Sequence, residues 1–340
     1  MPQVKIQSSS GPVLINYTIS TPTSEDAQYI DPTLPTVILL HPVFIAHIVF
    51  HHQFANPNLR RFNLIGLDAR CHGETVGPVP STFRRTDAAD DLFKFMEALR
   101  LPPCHLFGMS LGACIGLQTA ISYPDKVLSL FMLSPLPLVE PEIVAAGRQE
   151  IFDCWVQAHQ NPNEPDQEAL LDSVFGALQL GFNRAQSDFI NALVQYTLPQ
   201  GYRNWSPEHF EELHTVTVKF SLDRQPHPLP ILQRIKCPVH VVHCSEDIAY
   251  PLPFAEEIRD RFTEAGLDVR LSQVSGAPQF GCVTHPEEIN SLLHDWVMDL
   301  ADEQVPAARS SVKSPFEADL IKAGYLAHET SDSDDDLVPL

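Results

Sequence analysis

Cys104-His105-Leu106-Phe107-Gly108-Met109-Ser110-Leu111-Gly112-Ala113-Cys114-Ile115 carries the decisive pattern of this chain. A short apolar run enters G-x-S-x-G, and helical spacing follows to about Tyr123, where Pro124 stops it. G-x-S-x-G between a strand and a helix reads as a nucleophile elbow. The turn is so tight that side chains at 108 and 112 would strike neighbouring backbone, hence the glycines. It lifts the Ser110 hydroxyl above the sheet and aims a helix N-terminus at it.

The elements around the elbow alternate. Thr36–Leu40 and Phe62–Asp68 are continuous apolar runs, expected as central strands buried on both faces. Leu14–Ile19 reads as an early strand, Asp87–Leu99 as an amphipathic helix with acids in its first turn, and Val127–Leu133 as a further strand. This rhythm predicts an α/β protein, with a mostly parallel sheet flanked by helices. It breaks at Ser134-Pro135-Leu136-Pro137, and only helical patterns follow as far as about Gln233. Strand and helix then resume with Val239–His243, Pro253–Ala265, Val269–Val274 and Pro286–Asp299. The expected organisation is a core over 1–134, a helical insertion over 135–233, a second part of the core over 234–300, and a disordered acidic tail over 301–340. That tail holds nine acids and three bases, with a low-complexity cluster at Ser331–Asp336.

Composition limits the partners. The 340 residues include 22 Lys+Arg and 43 Asp+Glu, a net charge of −21. Nucleic-acid backbones and anionic membranes need clustered basic residues, so both are excluded as main partners. The seven cysteines form no CxxC pair, and several sit in apolar runs, which suits a reducing compartment. The first residues lack the apolar stretch of a signal peptide, no run is long enough to span a membrane, and the final DLVPL matches no retrieval signal. A cytoplasmic setting is expected. The 15 histidines include no His-x-x-x-His with a suitable acid on one clear helix, so neither a metal nor another cofactor is expected.

Two further motifs lie where an elbow predicts them. Leu39-Leu40-His41-Pro42-Val43-Phe44 ends a strand, and the Val43 N–H pairs with the Leu111 N–H as an expected oxyanion hole. Asp68-Ala69-Arg70-Cys71-His72-Gly73-Glu74-Thr75 follows the next strand. With Gly108–Gly112 these motifs resemble the α/β-hydrolase superfamily, in its capped lipase, esterase and epoxide-hydrolase branch. The family patterns are H-G-x-P and D-x-R-G-H-G-x-S, so HPVF and DARCHGET each depart from them. The resemblance covers about residues 10–300. It implies an eight-stranded sheet, residues 135–233 as a helical cap, and Ser110 as nucleophile.

The resemblance also implies an acid after the strand that follows the cap. Asp247 in Cys244-Ser245-Glu246-Asp247 matches, with Glu246 as the alternative. The family histidine belongs just after the last strand, and Gln279 stands at that position. Glutamine can hydrogen-bond but cannot take a proton near neutral pH, and a serine without a base is a weak nucleophile. His285 reads as the residue entering the helix at Pro286, with service as the base as its other reading.

Three readings remain. One is a hydrolase acting on a small, largely apolar ester, thioester or lactone, with secondary metabolism as a fitting context. The second is a pseudoenzyme that binds a ligand. The third is a non-hydrolytic catalyst on the same scaffold. Phe152, Trp155, Phe175, Phe182, Phe189, Tyr196 and Trp205 are candidates to line the pocket. Nothing in the chain indicates the oligomeric state.

Overall fold

The computed structural model describes residues 2–161, 164–301 and 304–326. Eight strands form one sheet: β1 (Gln3–Ser8), β2 (Gly11–Ser20), β3 (Thr36–Leu40), β4 (Asn63–Leu67), β5 (Cys104–Met109), β6 (Val127–Leu133), β7 (Val239–Cys244) and β8 (Val269–Val274). Their spatial order is β1-β2-β4-β3-β5-β6-β7-β8. The β1/β2 and β2/β4 pairs are antiparallel, and every later pair is parallel. This is the α/β-hydrolase fold that the motifs imply. The sequence reading misses β1, whose exposed and buried residues alternate without a strong apolar run.

Every residue of β3, β4, β5 and β7 is buried, which is why β3 and β4 read as continuous apolar runs. Alternate side chains enter two cores. Ile38, Leu40, Leu106 and Val241 face α1 (Arg85–Ala98), α2 (Leu111–Ser122) and, beyond β7, α6 (Leu252–Glu264). Val37, Leu39, Phe107 and Val242 face the opposite core, which includes Phe50, Phe54 and Trp296. Trp296 lies on α7 (Pro286–Met298).

Between β6 and β7 the described chain forms only helices, chiefly α3 (Glu142–Ala158), α4 (Gln167–Phe182) and α5 (Asp188–Asn204). Asp166 caps α4 by accepting from the Glu168 and Ala169 N–H groups, both at 3.1 Å.

The expected disorder after residue 301 does not hold for residues 304–326. This segment docks on the core and forms α8 (Glu317–Lys322), which packs against α5. Phe316 and Leu320 are fully buried, and the Phe316 ring meets Phe54 and His47 edge-on at 5.0 and 5.2 Å. Arg60 donates to the Lys313 carbonyl (2.8 Å), and Arg61 to that of Pro306 (2.6 Å). The acidic composition hid two apolar anchors, enough to fix a short helix whose other residues face water. The Ser331–Asp336 cluster lies outside the described residues.

Phe316→Ala should lower the unfolding free energy by about 3–5 kcal/mol, the usual cost of emptying a buried aromatic site. Urea denaturation checks this; an unchanged midpoint would show that the segment contributes no packing.

Candidate active site

Ser110 sits between β5 and α2 with φ 53° and ψ −110°, a conformation that L-residues avoid. Its surroundings force this turn. A Cβ at Gly112 would lie 2.0 Å from the Leu40 carbonyl oxygen, and one at Gly108 would lie 2.4 Å from that of Gly112. The helix start therefore packs directly against the end of β3. The Ser110 N–H donates to the Leu133 carbonyl (3.0 Å), tying the corner to β6 as well. Its side chain is 1% exposed, and among the described residues Oγ has no hydrogen-bond partner.

The loop after β3 is held by two neutral histidines. His41 Nδ1 lies 2.7 Å from the Pro42 carbonyl, so it carries the proton, and Nε2 accepts from the Ala69 N–H (2.9 Å). His72 likewise donates from Nδ1 to the Arg70 carbonyl (2.9 Å) and accepts at Nε2 from the Phe44 N–H (3.2 Å). Burial lowers both rings' pKa values, His41 to about 3, so both acceptor nitrogens stay free at neutral pH. Phe44 has φ 72°, which turns the backbone sharply just after the buried Val43.

Asp68 anchors the second motif. It accepts from His47 Nδ1 (2.6 Å), the His47 N–H (2.9 Å), Asn16 Nδ2 (2.8 Å) and the Glu74 N–H (3.0 Å). Burial opposes its charge, but the His47 contacts outweigh that, and the carboxyl stays well below its usual range. Gly73 adopts φ 55° and presses so closely on Asp68 that a Cβ would overlap the carboxylate.

Ser110, Asp247 and Gln279 all follow the carboxyl ends of parallel strands (β5, β7 and β8), so they share one edge of the sheet. Asp247 Oδ1 accepts from the Ala249 and Tyr250 N–H groups at 3.0 and 2.9 Å. Burial pushes its pKa up to about 7 against those two donors and Arg148. Glu246 is exposed. Gln279 is buried, and neither atom of its amide has a partner among the described residues. His285 is half-buried at the entry to α7, bonded to Thr284 Oγ1 (2.9 Å), with Nε2 facing the Gly276 turn.

A buried ionic cluster braces the acid turn. Glu140 accepts from Arg148 Nε (2.8 Å), Tyr250 OH (2.7 Å) and Arg224 Nη2 (2.9 Å), and Arg148 Nη2 donates to the Tyr250 oxygen (2.9 Å). Tyr250 is also the residue whose N–H holds Asp247. The sequence reading overlooks this cluster. Its signal is the spacing of Arg148, Ile151, Trp155 and Ala158, which puts a charge on the buried stripe of α3.

Beside this edge lies a cavity with Phe44, Ile45 and Phe280 on the core side. Of the expected aromatics, Phe152, Trp155, Phe182 and Trp205 line it. Phe175 does not; it is largely exposed, while Phe189 packs on His51, His52 and Tyr325. Among the described residues no charged side chain lines the cavity. Of its hydroxyls, Ser173 and Thr217 bond to backbone carbonyls, whereas Thr197 Oγ1 is buried without a partner among the described residues.

The alpha/beta hydrolase fold family matches residues 35–201. Among curated proteins, "Putative carbamate hydrolase RutD" of Pantoea ananatis (strain LMG 20103) is 36% identical over 73 residues, 22% of this chain and 26% of that protein. The protein of that name from Caulobacter sp. (strain K31) is 24% identical over 240 residues, 68% of this chain and 80% of that protein. The chain spans between 26% and 31% of the length of the first curated relatives it matches. A thermophilic esterase from Thermogutta terrifontis, solved with malate bound, superposes with a TM-score of 0.66 at 16% identity, covering 88% of this chain and 99% of that one. The enol-lactonase from Burkholderia xenovorans LB400 gives 0.62 at 15% identity, covering 87% and 100%.

Two outcomes follow from the geometry. Ser110→Gly should be about 1–2 kcal/mol more stable than Ser110→Ala, because glycine accepts the elbow backbone without strain; equal stabilities in denaturant would rule out a strained turn. Asp247 keeps its proton to about pH 7 when folded, whereas an unfolded chain releases it near pH 4. Stability is therefore lost as pH rises between those values. Asp247→Asn should melt higher than wild type at pH 8, with the gain vanishing by about pH 4; a gain that does not change with pH would refute this.

Proposed function

Because the chain belongs to the α/β-hydrolase family, we propose that it is a serine hydrolase for a small, largely apolar carbonyl compound: an ester, thioester or lactone. The name of the RutD relatives adds carbamates to this class. The observation that carries the reading is Ser110, buried on a strained elbow with its hydroxyl unclaimed. The substrate lies in the uncharged cavity, with Thr197 as a polar handle; Ser110 Oγ attacks its carbonyl carbon as its proton passes to water, the alcohol or thiol leaves with a proton from water, and a second water hydrolyses the acyl-enzyme. The Val43 and Leu111 N–H groups take the developing oxyanion. Gln279, whose amide makes no hydrogen bond to Ser110, cannot take the serine proton and so does not act as a general base. Turnover then runs at the residual level that binding and oxyanion stabilisation sustain, on the order of 10³–10⁴ over water. Seven free thiols fit a cytoplasmic setting, and no helix among the described residues is long and apolar enough to cross a membrane.

A second reading, a non-hydrolytic ligand-binding protein, is favoured by one observation: a buried amide at the position matching the family's base. p-Nitrophenyl butyrate and octanoate discriminate between the two. The hydrolase reading predicts slow wild-type turnover above buffer, its loss in Ser110→Ala, and a gain of about a hundredfold or more in Gln279→His. Wild-type rates equal to those of Ser110→Ala would overturn it in favour of ligand binding.

A further inference from the structure

A second cavity lies on the α1, α2 and α6 face and shares no lining residue with the first. Arg85, Arg224, Arg261 and His227 line it, together with apolar residues such as Met132 and Phe262, and among the described residues no Asp or Glu does. Arg224 is 6% exposed. Its Nη2 is held by Glu140 Oε2 (2.9 Å) and its Nε by the Pro137 carbonyl (2.9 Å). Arg261 uses Nη1 on Glu264 (3.2 Å) and Nη2 on the His227 carbonyl (3.2 Å). Arg85 Nη2 donates to the Gln225 carbonyl (2.8 Å) and approaches His227 Nδ1 at 3.5 Å. That approach leaves the imidazole proton on Nε2.

Three groups remain buried without a hydrogen-bond partner among the described residues: Arg224 Nη1, Arg261 Nε and His227 Nε2. All three are donors. A buried donor left unsatisfied costs about 1–3 kcal/mol, and more when it is charged. Three of them lining one cavity that contains no acidic side chain call for an acceptor carrying negative charge. The remaining lining is mainly apolar, so it suits a ligand with a hydrocarbon body better than a bare inorganic ion.

We propose that this cavity binds a small organic carboxylate. The head group accepts from Arg224 Nη1, Arg261 Nε and His227 Nε2, and the apolar body lies against Met132 and Phe262. Glu140 and the Pro137 carbonyl pre-orient the Arg224 guanidinium, so little of its side-chain entropy is lost on binding.

Calorimetric titration of the full chain with hexanoate at fixed ionic strength tests this, with hexanamide and inorganic phosphate in parallel. Saturable hexanoate binding is expected, with neither of the other two binding comparably. Arg261→Met and His227→Phe both leave the Glu140 cluster intact, and each should weaken hexanoate by about tenfold or more. Near-UV circular dichroism establishes that each variant is folded, and either one alone suffices. Absence of binding, equal binding of hexanamide, phosphate binding as tightly as hexanoate, or unchanged affinity in a folded variant would each overturn the proposal.

Discussion

The contact between Gly112 and the carbonyl of Leu40 is the constraint on which the rest of the molecule depends. With no side chain at 112, the first turn of α2 closes onto the end of β3, the strand that leads into the Val43 loop. Ser110 must then turn with a positive φ. The same closure brings the Leu111 N–H, the Val43 loop and the serine hydroxyl to one corner. Any side chain at 112 would push the helix off the sheet and separate the parts of the candidate site.

Around this corner the polar groups are fixed by burial. His41 and His72 remain neutral because charging them inside the protein is unfavourable, and that neutrality lets each accept a backbone N–H near the Val43 loop. Asp68 stays ionised because four donors converge on it. Among the described residues Asp247 has two backbone donors and no hydrogen bond from an imidazole, so burial prevails and its proton is held to near neutrality. The contrast between these aspartates shows how far converging hydrogen-bond donors decide a buried carboxyl's state. Glu140, Arg148 and Tyr250 keep the Asp247 turn in place by contacts that do not involve the residue at 279.

Much of the fold can be read in the chain because its core strands are buried on both faces, and burial writes itself as apolar runs such as Thr36–Leu40 and Asn63–Leu67. The elbow is equally plain, since only glycine fits at 108 and 112. What escaped the reading depends on contacts between residues far apart in sequence. β1 is an edge strand with one wet face. Residues 304–326 look like an acidic tail, yet Phe316 finds Phe54 and His47 from more than 250 positions away. Arg148, Arg224 and Tyr250 acquire their roles only when Glu140 is placed among them. At 279 and 285 the sequence states the chemical problem, and the structure adds that His285 faces Thr284 and Gly276.

The most direct measurement on Ser110 as nucleophile is intact-protein mass spectrometry after prolonged incubation with a fluorophosphonate. One phosphonyl adduct per chain is expected, formed slowly, mapped to Ser110 and absent in Ser110→Ala. A wild-type chain that stays unmodified, or an equal adduct in Ser110→Ala, would contradict the assignment.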